Sequence, residues 1–253
     1  QELYNPTDKA VSIIGFHVSE DPANLKMFRL TPSVGVIPAK GYKVLWFDHN
    51  EADPRQIDFK LDCDGGTFYI ADENGNLVTL QSYPAAISRT SYARTTDGAN
   101  NWGLTALPTP GKSNDGSVFA TARLDAPIIN KDSQLFTSSF IARVTIPDGA
   151  TLKYTTDGTT PSATNGQVST TGRFTVNTTT TYRFRLFQDG MLPSEVITRS
   201  YIYKDKEFKL PVISVVTDPV NLYDDSLGVY VKGVNGRPGN GQSTPCNWNM
   251  EWD

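Results

Sequence analysis

Tight-turn dipeptides set the strongest constraint on what this chain can fold into. Asp-Gly begins at residues 64, 97, 115, 148, 157 and 189, and Asn-Gly begins at 74, 165, 235 and 240. These pairs readily adopt the positive φ of hairpin turns. Between them lie short runs rich in β-branched and aromatic residues: VSIIGFHVS, YKVLWF, TFYIAD, FIARVTI, TLKYTT, TTTTYRFRLF and EVITRSYIY. The pattern predicts short strands joined by tight turns.

Polarity alternates along the run TYRFRLF, which is typical of a half-buried strand. Tyr182, Phe184 and Leu186 fall on one face, and Arg183 and Arg185 fall on the other. Strands at this spacing without intervening helices indicate sandwiches or barrels. The predicted class is therefore all-β, with two immunoglobulin/fibronectin-like β-sandwiches in series and a short β-rich C-terminal segment.

Helical signals are limited to single turns at DPANLKMF and DPVNLYD. Asp21 and Asp218 are the expected N-caps, each followed by a proline at the first helical position. The apolar runs VISVV and VYV on either side of the second turn are predicted to be strands.

The amino-acid composition marks two junctions between predicted domains. The Pro- and Gly-containing stretch PTPGKSNDGS reads as a linker, and the charged stretch YKDKEFK marks a second junction. The predicted organisation is a sandwich at 1–114, a linker at 115–123, a second sandwich at 124–203 and the opening strands of another domain at 204–253.

Charge narrows the choice of partners. The formal net charge of −4 and the lack of a basic run argue against nucleic acid as a partner, and no apolar stretch is long enough to span a bilayer.

The chain begins at Gln1, so we expect a trimmed N-terminus with any export signal upstream. Cys63 and Cys246 are predicted to be buried free thiols rather than one long-range disulfide.

Catalytic, metal and cofactor sites are not predicted. The two histidines, His17 and His49, lie in a strand run and a loop, without a zinc-type or nucleophile motif. The stretch DENGN lacks the glycine and glutamate of a calcium loop and reads as a hairpin turn. The glycine-rich GVNGRPGNG reads as a hairpin loop rather than a phosphate cradle, although Arg237 within it is a candidate for ligand binding.

Aromatic side chains are the other candidates for binding. Trp46 in VLWF and Tyr69 in TFYI are predicted to lie in the core. Trp102 follows a turn in DGANNWG, and it is the candidate for a ligand-binding ring. Trp248 and Trp252 are expected to be packing residues.

Three family resemblances add to this interpretation. The stretches ELYNPTDKAVSIIGFHVSED, VIPAKGYKVLWF, FKLDCDGGTFYIADENGNLV, SYARTTDGANNW and PTPGKSN resemble, in order, a lamin tail domain, which implies an immunoglobulin-like sandwich over 1–114. LKYTTDGTTPSATNG and TYRFRLFQDGMLPSEVITRSYIY resemble the fibronectin-III-like domain of the chitobiase/β-hexosaminidase C-terminal type. LPVISVVTDPVNLYDDSLGVYVKG and NWNMEWD resemble the first strands of a CotH-type domain, a kinase-like family of spore-coat and secreted proteins.

These resemblances imply a non-catalytic spacer and interaction region of a secreted or surface-attached CotH-like protein. The expected partner is a polysaccharide or a cell-surface protein, the expected location is extracellular, cell-surface or periplasmic, and a monomer is expected. The alternative is the targeting region of an atypical CotH-type kinase whose catalytic residues lie downstream.

Overall fold

The structure is a computed structural model that describes residues 1–47 and 56–234. Contacts divide the chain into two compact units, Gln1–Ala122 (unit 1) and Arg123–Asp253 (unit 2). The predicted all-β class is confirmed, and the described residues contain one four-residue helix. No helix in this part of the chain is long and apolar enough to cross a membrane.

The predicted linker lies beside the division between the units. Ala120, inside the predicted linker, pairs with Leu104 as an isolated bridge of unit 1. Arg123, its last residue, begins unit 2. The finer domain boundaries, including a separate unit from Lys204, stay a prediction.

Unit 1 is built from short strands that form several small sheets. The strands are β1 (Glu2–Tyr4), β2 (Val11–Ser12), β3 (His17–Ser19), β4 (Phe28–Arg29), β5 (Val36–Ile37), β6 (Tyr42–Val44), β7 (Trp46–Phe47), β8 (Gln56–Ile57), β9 (Gly66–Ala71), β10 (Leu77–Tyr83), β11 (Ser91–Arg94) and β12 (Trp102–Thr105). The largest sheet has the order β10-β9-β3-β4, and the pairs are β1-β6, β2-β5, β7-β8 and β11-β12. The core of unit 1 includes the fully buried Val18, Leu30, Leu45 and Ile57.

Unit 2 has a five-stranded sheet and a two-stranded sheet. Its strands are β13 (Gln134–Phe136), β14 (Phe140–Arg143), β15 (Thr151–Thr155), β16 (Gln167–Ser169), β17 (Arg173–Val176), β18 (Thr180–Phe187) and β19 (Ile197–Tyr203). The larger sheet has the order β13-β19-β18-β15-β16, and β14 pairs with β17. Side chains from both sheets share one core, which is the arrangement of a sandwich.

The alternation predicted for β18 is confirmed. Tyr182, Phe184 and Leu186 are buried in the unit 2 core, whereas Arg183 and Arg185 lie half-buried on the other face. Phe184 is fully buried. Its ring therefore contributes to the stability of unit 2 through the apolar area that folding removes from water.

The turn prediction is also confirmed within the described residues. All six Asp-Gly glycines and the first two Asn-Gly glycines have positive φ. In DENGN, Asp72 accepts hydrogen bonds from the backbone amides of Asn74 and Asn76 at 2.9 and 2.8 Å. These bonds stabilise the hairpin turn between β9 and β10. The last two Asn-Gly pairs lie outside the described residues.

The helical predictions hold at one of two places. The helix α1 (Val220–Tyr223) is present, but its N-cap is Pro219 rather than the predicted Asp218, so the proline lies one position before the helix. Asp218 accepts the amide of Val220 at 3.3 Å in the preceding turn. The turn at DPANLKMF is not helical: Asp21 accepts the amide of Ala23 at 2.8 Å in a turn. Its end instead forms β4, because pairing with β3 outweighs the local helix signal.

Four further expectations are wrong. Tyr69 is half-buried and outside the core, because its neighbours Phe68 and Ile70 take the core-facing positions of β9. Trp46 is 61% exposed rather than in the core, because its neighbour Leu45 occupies the core-facing position. Cys63 has a free thiol but is exposed, since it lies in a turn. The runs VISVV and VYV form no strands within the described part, because no neighbouring strand pairs with them, and Ile213 and Val215 are 84% and 85% exposed. His49 and Cys246 lie outside the described residues, as do Trp248 and Trp252.

Candidate functional site

One wall of a cleft in unit 1 is formed by β1 and β6. Glu2 lies opposite Val44, and Tyr4 lies opposite Tyr42. Since side chains alternate along a strand, Trp46 points to the same side as Tyr42. The rings of Tyr4 and Tyr42 lie 5.1 Å apart. The register therefore collects three aromatic rings and a carboxylate on one face.

The second wall is the hairpin of β11 and β12. Arg94 lies opposite Trp102, and its guanidinium carbon is 4.7 Å from the Trp102 ring centroid. Arg94 also donates to the carbonyl oxygen of Ala99. Tyr92 stacks on Trp102 with the ring centroids 5.1 Å apart and 17° between the planes. The indole is thus held in place by two neighbours on its own hairpin.

Between these walls lies a cleft of about 530 Å³. Pockets of roughly 300–1,000 Å³ are the usual size for small-molecule sites. The most accessible rings in it are those of Trp46 and Tyr92, which are 61% and 38% exposed. The lining also includes polar side chains: Ser91, Thr105, Thr109, Asn114, Glu2 and Asp97.

Asp97 holds the floor of the cleft together. Its carboxylate accepts hydrogen bonds from the Tyr42 hydroxyl, from the Ser113 hydroxyl at 2.6 Å and from the Asn114 amide at 3.3 Å. Burial alone would raise the pKa of Asp97, but these hydrogen bonds outweigh burial and lower the pKa. Burial, followed by the bond to Asp97, raises the pKa of Tyr42 to about 12. Both groups therefore keep their usual charge at neutral pH.

Glu2 is the second carboxylate in the cleft. It accepts a hydrogen bond from the Gly111 amide at 2.5 Å. Burial raises the pKa of Glu2, the Gly111 bond opposes this, and the negative charge of Asp97 adds to the rise. Glu2 therefore holds its proton to a higher pH than Asp97 does.

The chemistry of this cleft suits binding better than catalysis. Among the described residues, its lining contains no histidine, lysine or cysteine, and the carboxylate of Asp97 is already occupied by three donors. A general acid needs a raised pKa near the working pH. The pKa of Asp97 is lowered, so only Glu2, whose pKa is raised, has that property among the carboxylates of the described lining. His17 is buried elsewhere in unit 1, with Nδ1 3.1 Å from the Asp72 carbonyl oxygen.

Of the two candidate binding residues from the sequence, one lies in the cleft and the other lies outside the described residues. Trp102 lines the cleft, and its role in ligand binding stays a prediction. Arg237 lies outside the described residues. Sequence reasoning missed Trp46 and Tyr92 as the accessible rings. The phase of alternation in KVLWF, with Leu45 inward, was the signal for Trp46.

The hairpin motif of unit 2 is explained by internal hydrogen bonds. Arg183 donates to the Gly158 carbonyl at 2.7 Å and to the Thr160 hydroxyl at 3.1 Å. Pro161, in the loop of the same hairpin, is completely buried. The sequence YTTDGTTPSATNG therefore encodes a structural hairpin, and Arg183 of β18 is committed to holding it.

Comparisons with known proteins bear on unit 2. Residues 133–198 match the family model of the chitobiase/beta-hexosaminidase C-terminal domain. No curated protein matches the chain. The match lies wholly within unit 2 and includes the hairpin that Arg183 holds, so this segment is similar to a chitobiase/beta-hexosaminidase C-terminal domain.

Proposed function

We propose that the chain is a non-catalytic, glycan-binding accessory region that also acts as a spacer. The observation that carries this proposal is the cleft in unit 1, where exposed aromatic rings stand beside hydrogen-bonding side chains. The C–H face of a sugar ring packs well on an aromatic ring, and its hydroxyls need polar partners at the edge. Trp46 and Tyr92 supply the rings, and the Ser91 hydroxyl and the Glu2 carboxylate supply polar atoms.

The family match supports the same class of function. The matching domain is named after chitobiase and β-hexosaminidase, whose names refer to sugars. This is support by similarity alone, because a fold can carry many functions.

The biological setting is part of the proposal. We place the chain in a secreted or surface-attached, CotH-like bacterial protein, in an extracellular, cell-surface or periplasmic location. The resemblance of residues 1–114 to lamin tail domains and that of residues 210–233 to CotH-type domains support this setting. A cell-surface protein is the other partner that the cleft could serve.

Retention on insoluble polysaccharides tests the proposal. The full chain should bind at least one neutral polysaccharide, and Trp46→Ala and Tyr92→Ala should each weaken binding by about fivefold, or roughly 1 kcal/mol. Tyr223→Ala is the matched control, because Tyr223 is 63% exposed but lies in unit 2. Circular dichroism checks folding. No retention on any polysaccharide, or equal loss in the control, contradicts the proposal.

The alternative function is targeting of a kinase-like domain. One observation favours it: residues 211–216 form no strand in the described part, and the apolar side chains of Ile213 and Val215 are exposed there. On this alternative the native gene product is much heavier than 27.8 kDa and transfers phosphate, whereas this chain alone does not. Phosphate transfer by this chain alone would contradict both proposals.

A further inference from the structure

Two arginines face each other on the outer surface of the small sheet in unit 2. The register of β14 and β17 places Arg143 directly opposite Arg173. Both side chains are exposed, and the alternate residues Ala142 and Phe174 point into the core. Side chains in this relation have Cβ atoms about 4.5–5.5 Å apart. The two guanidinium groups can therefore reach the same small anion.

Nothing in the described protein neutralises this pair. Neither Arg143 nor Arg173 makes an ion pair or a side-chain hydrogen bond within residues 1–47 and 56–234. Like charges directly opposite each other destabilise a sheet. The pair thus carries a small cost that the fold itself does not offset.

A second pair on the larger sheet shows how opposed cations look when the fold provides acceptors for them. Lys153 lies opposite Arg185, but Lys153 donates to the Ala163 carbonyl at 2.5 Å and Arg185 donates to the Ser194 carbonyl at 2.8 Å. Both cations also lie 5.7 Å from the ring of Phe187. The Lys153–Arg185 pair has internal acceptors, whereas the Arg143–Arg173 pair presents its donors to solvent.

We propose that Arg143 and Arg173 form a binding site for the carboxylate groups of an acidic glycan. Guanidinium groups bind carboxylates with two parallel hydrogen bonds, so two arginines grip one group or two neighbouring groups. Ile141 and Thr175, the next opposed pair on the same face, offer an apolar contact and a hydroxyl to the sugar. The glycan part of this inference rests on the proposed function, whereas the anion site rests on the arginines.

Polygalacturonate and its fully methyl-esterified form are the probes, because they share a backbone and differ in charge. The full chain should bind polygalacturonate in low-salt buffer and lose that binding with the ester. The double variant Arg143→Gln/Arg173→Gln should weaken binding by about tenfold, since each exposed ion pair contributes modestly. Lys206→Gln/Lys209→Gln is the control: it removes two exposed positive charges elsewhere in unit 2.

The outcomes separate this inference from the proposed function. Equal loss in the two double variants, or equal binding of polygalacturonate and its ester, overturns the arginine site while leaving neutral-glycan binding intact. Binding of duplex DNA through the same arginines as tightly as polygalacturonate overturns the assignment to glycans. No retention of neutral or acidic polysaccharide overturns both proposals. The arginine variant should also melt no lower than the wild type, because it removes a repulsion, and a lower melting temperature would mean that the pair is structural.

Discussion

A glycine immediately before β17 should be among the most sensitive positions in unit 2. Gly172 has a φ of +61°, and its carbonyl accepts the Val144 amide at 2.8 Å. A Cβ placed on Gly172 would lie 2.1 Å from the Val144 carbonyl oxygen. Because that atom belongs to backbone, Gly172→Ala can be accommodated only by moving β14 or the turn.

The expected loss has two parts. An alanine in the left-handed region costs about 1–2 kcal/mol, and overpacking against fixed atoms adds about 1–3 kcal/mol. Gly190 provides the matched control, because its φ is +74° and a Cβ there meets nothing within 4 Å. Gly190→Ala should therefore show the first part alone. The difference between the two variants measures the contact with Val144.

The unfolding of unit 2 has to be measured separately from that of unit 1, because two units of one chain can unfold separately. Pulsed hydrogen exchange with mass spectrometry on peptides from β14 and β17 reports the melting temperature of this unit. Each kcal/mol shifts the melting temperature of a domain of this size by about 4 °C, so Gly172→Ala should melt about 4–12 °C below Gly190→Ala. Equal melting of the two variants would refute the reasoning, since it would mean that the Val144 contact relaxes freely.

Two other substitutions test the hydrogen bonds that hold the functional regions. Because the pKa of Asp97 is lowered on folding, its stabilisation is present above its unfolded pKa of about 3.9 and is lost as the pH falls through the folded value. Asp97→Asn should lower the unfolding free energy of unit 1 by about 1–3 kcal/mol at neutral pH, and urea titrations should show the gap to wild type closing below about pH 4; a constant gap contradicts this. Arg183→Met should increase hydrogen exchange in the hairpin around Gly158, whereas Lys131→Met, an exposed control, should not; unchanged exchange in both would mean that Arg183 does not hold the hairpin.

Local patterns predicted the parts of the fold that depend on neighbours in sequence. The alternation in TYRFRLF fixed which side chains of β18 enter the core, since a strand has a period of two. The Asp-Gly pairs located the turns because their glycines tolerate positive φ. Trp46 was misjudged because a run of apolar residues was treated as one buried block, although its own alternation places Leu45 inward.

The strands predicted for the C-terminal runs VISVV and VYV are absent from the described residues because strand formation depends on neighbours that are distant in sequence. VISVV has the composition of a strand, but composition does not provide a neighbouring strand, and an unpaired strand gains no ladder of hydrogen bonds. The same limit applies to the cleft. Its first wall depends on the register that sets Glu2 beside Val44, and pairing over such a separation in sequence is specified by tertiary packing.

The arginines of unit 2 show why charge counted along a sequence does not locate a binding site. Arg183 and Arg173 are the same type of residue and both lie on strands of unit 2. Arg183 donates to a hairpin carbonyl, whereas Arg173 lies opposite another arginine on the neighbouring strand. The first is occupied by the fold, and only the second has donors available to a ligand. A charged side chain becomes a candidate for binding when the structure leaves its donors without internal acceptors, and this property depends on strand register rather than on net charge. A protein with a net charge of −4 can therefore still present a site for an anion.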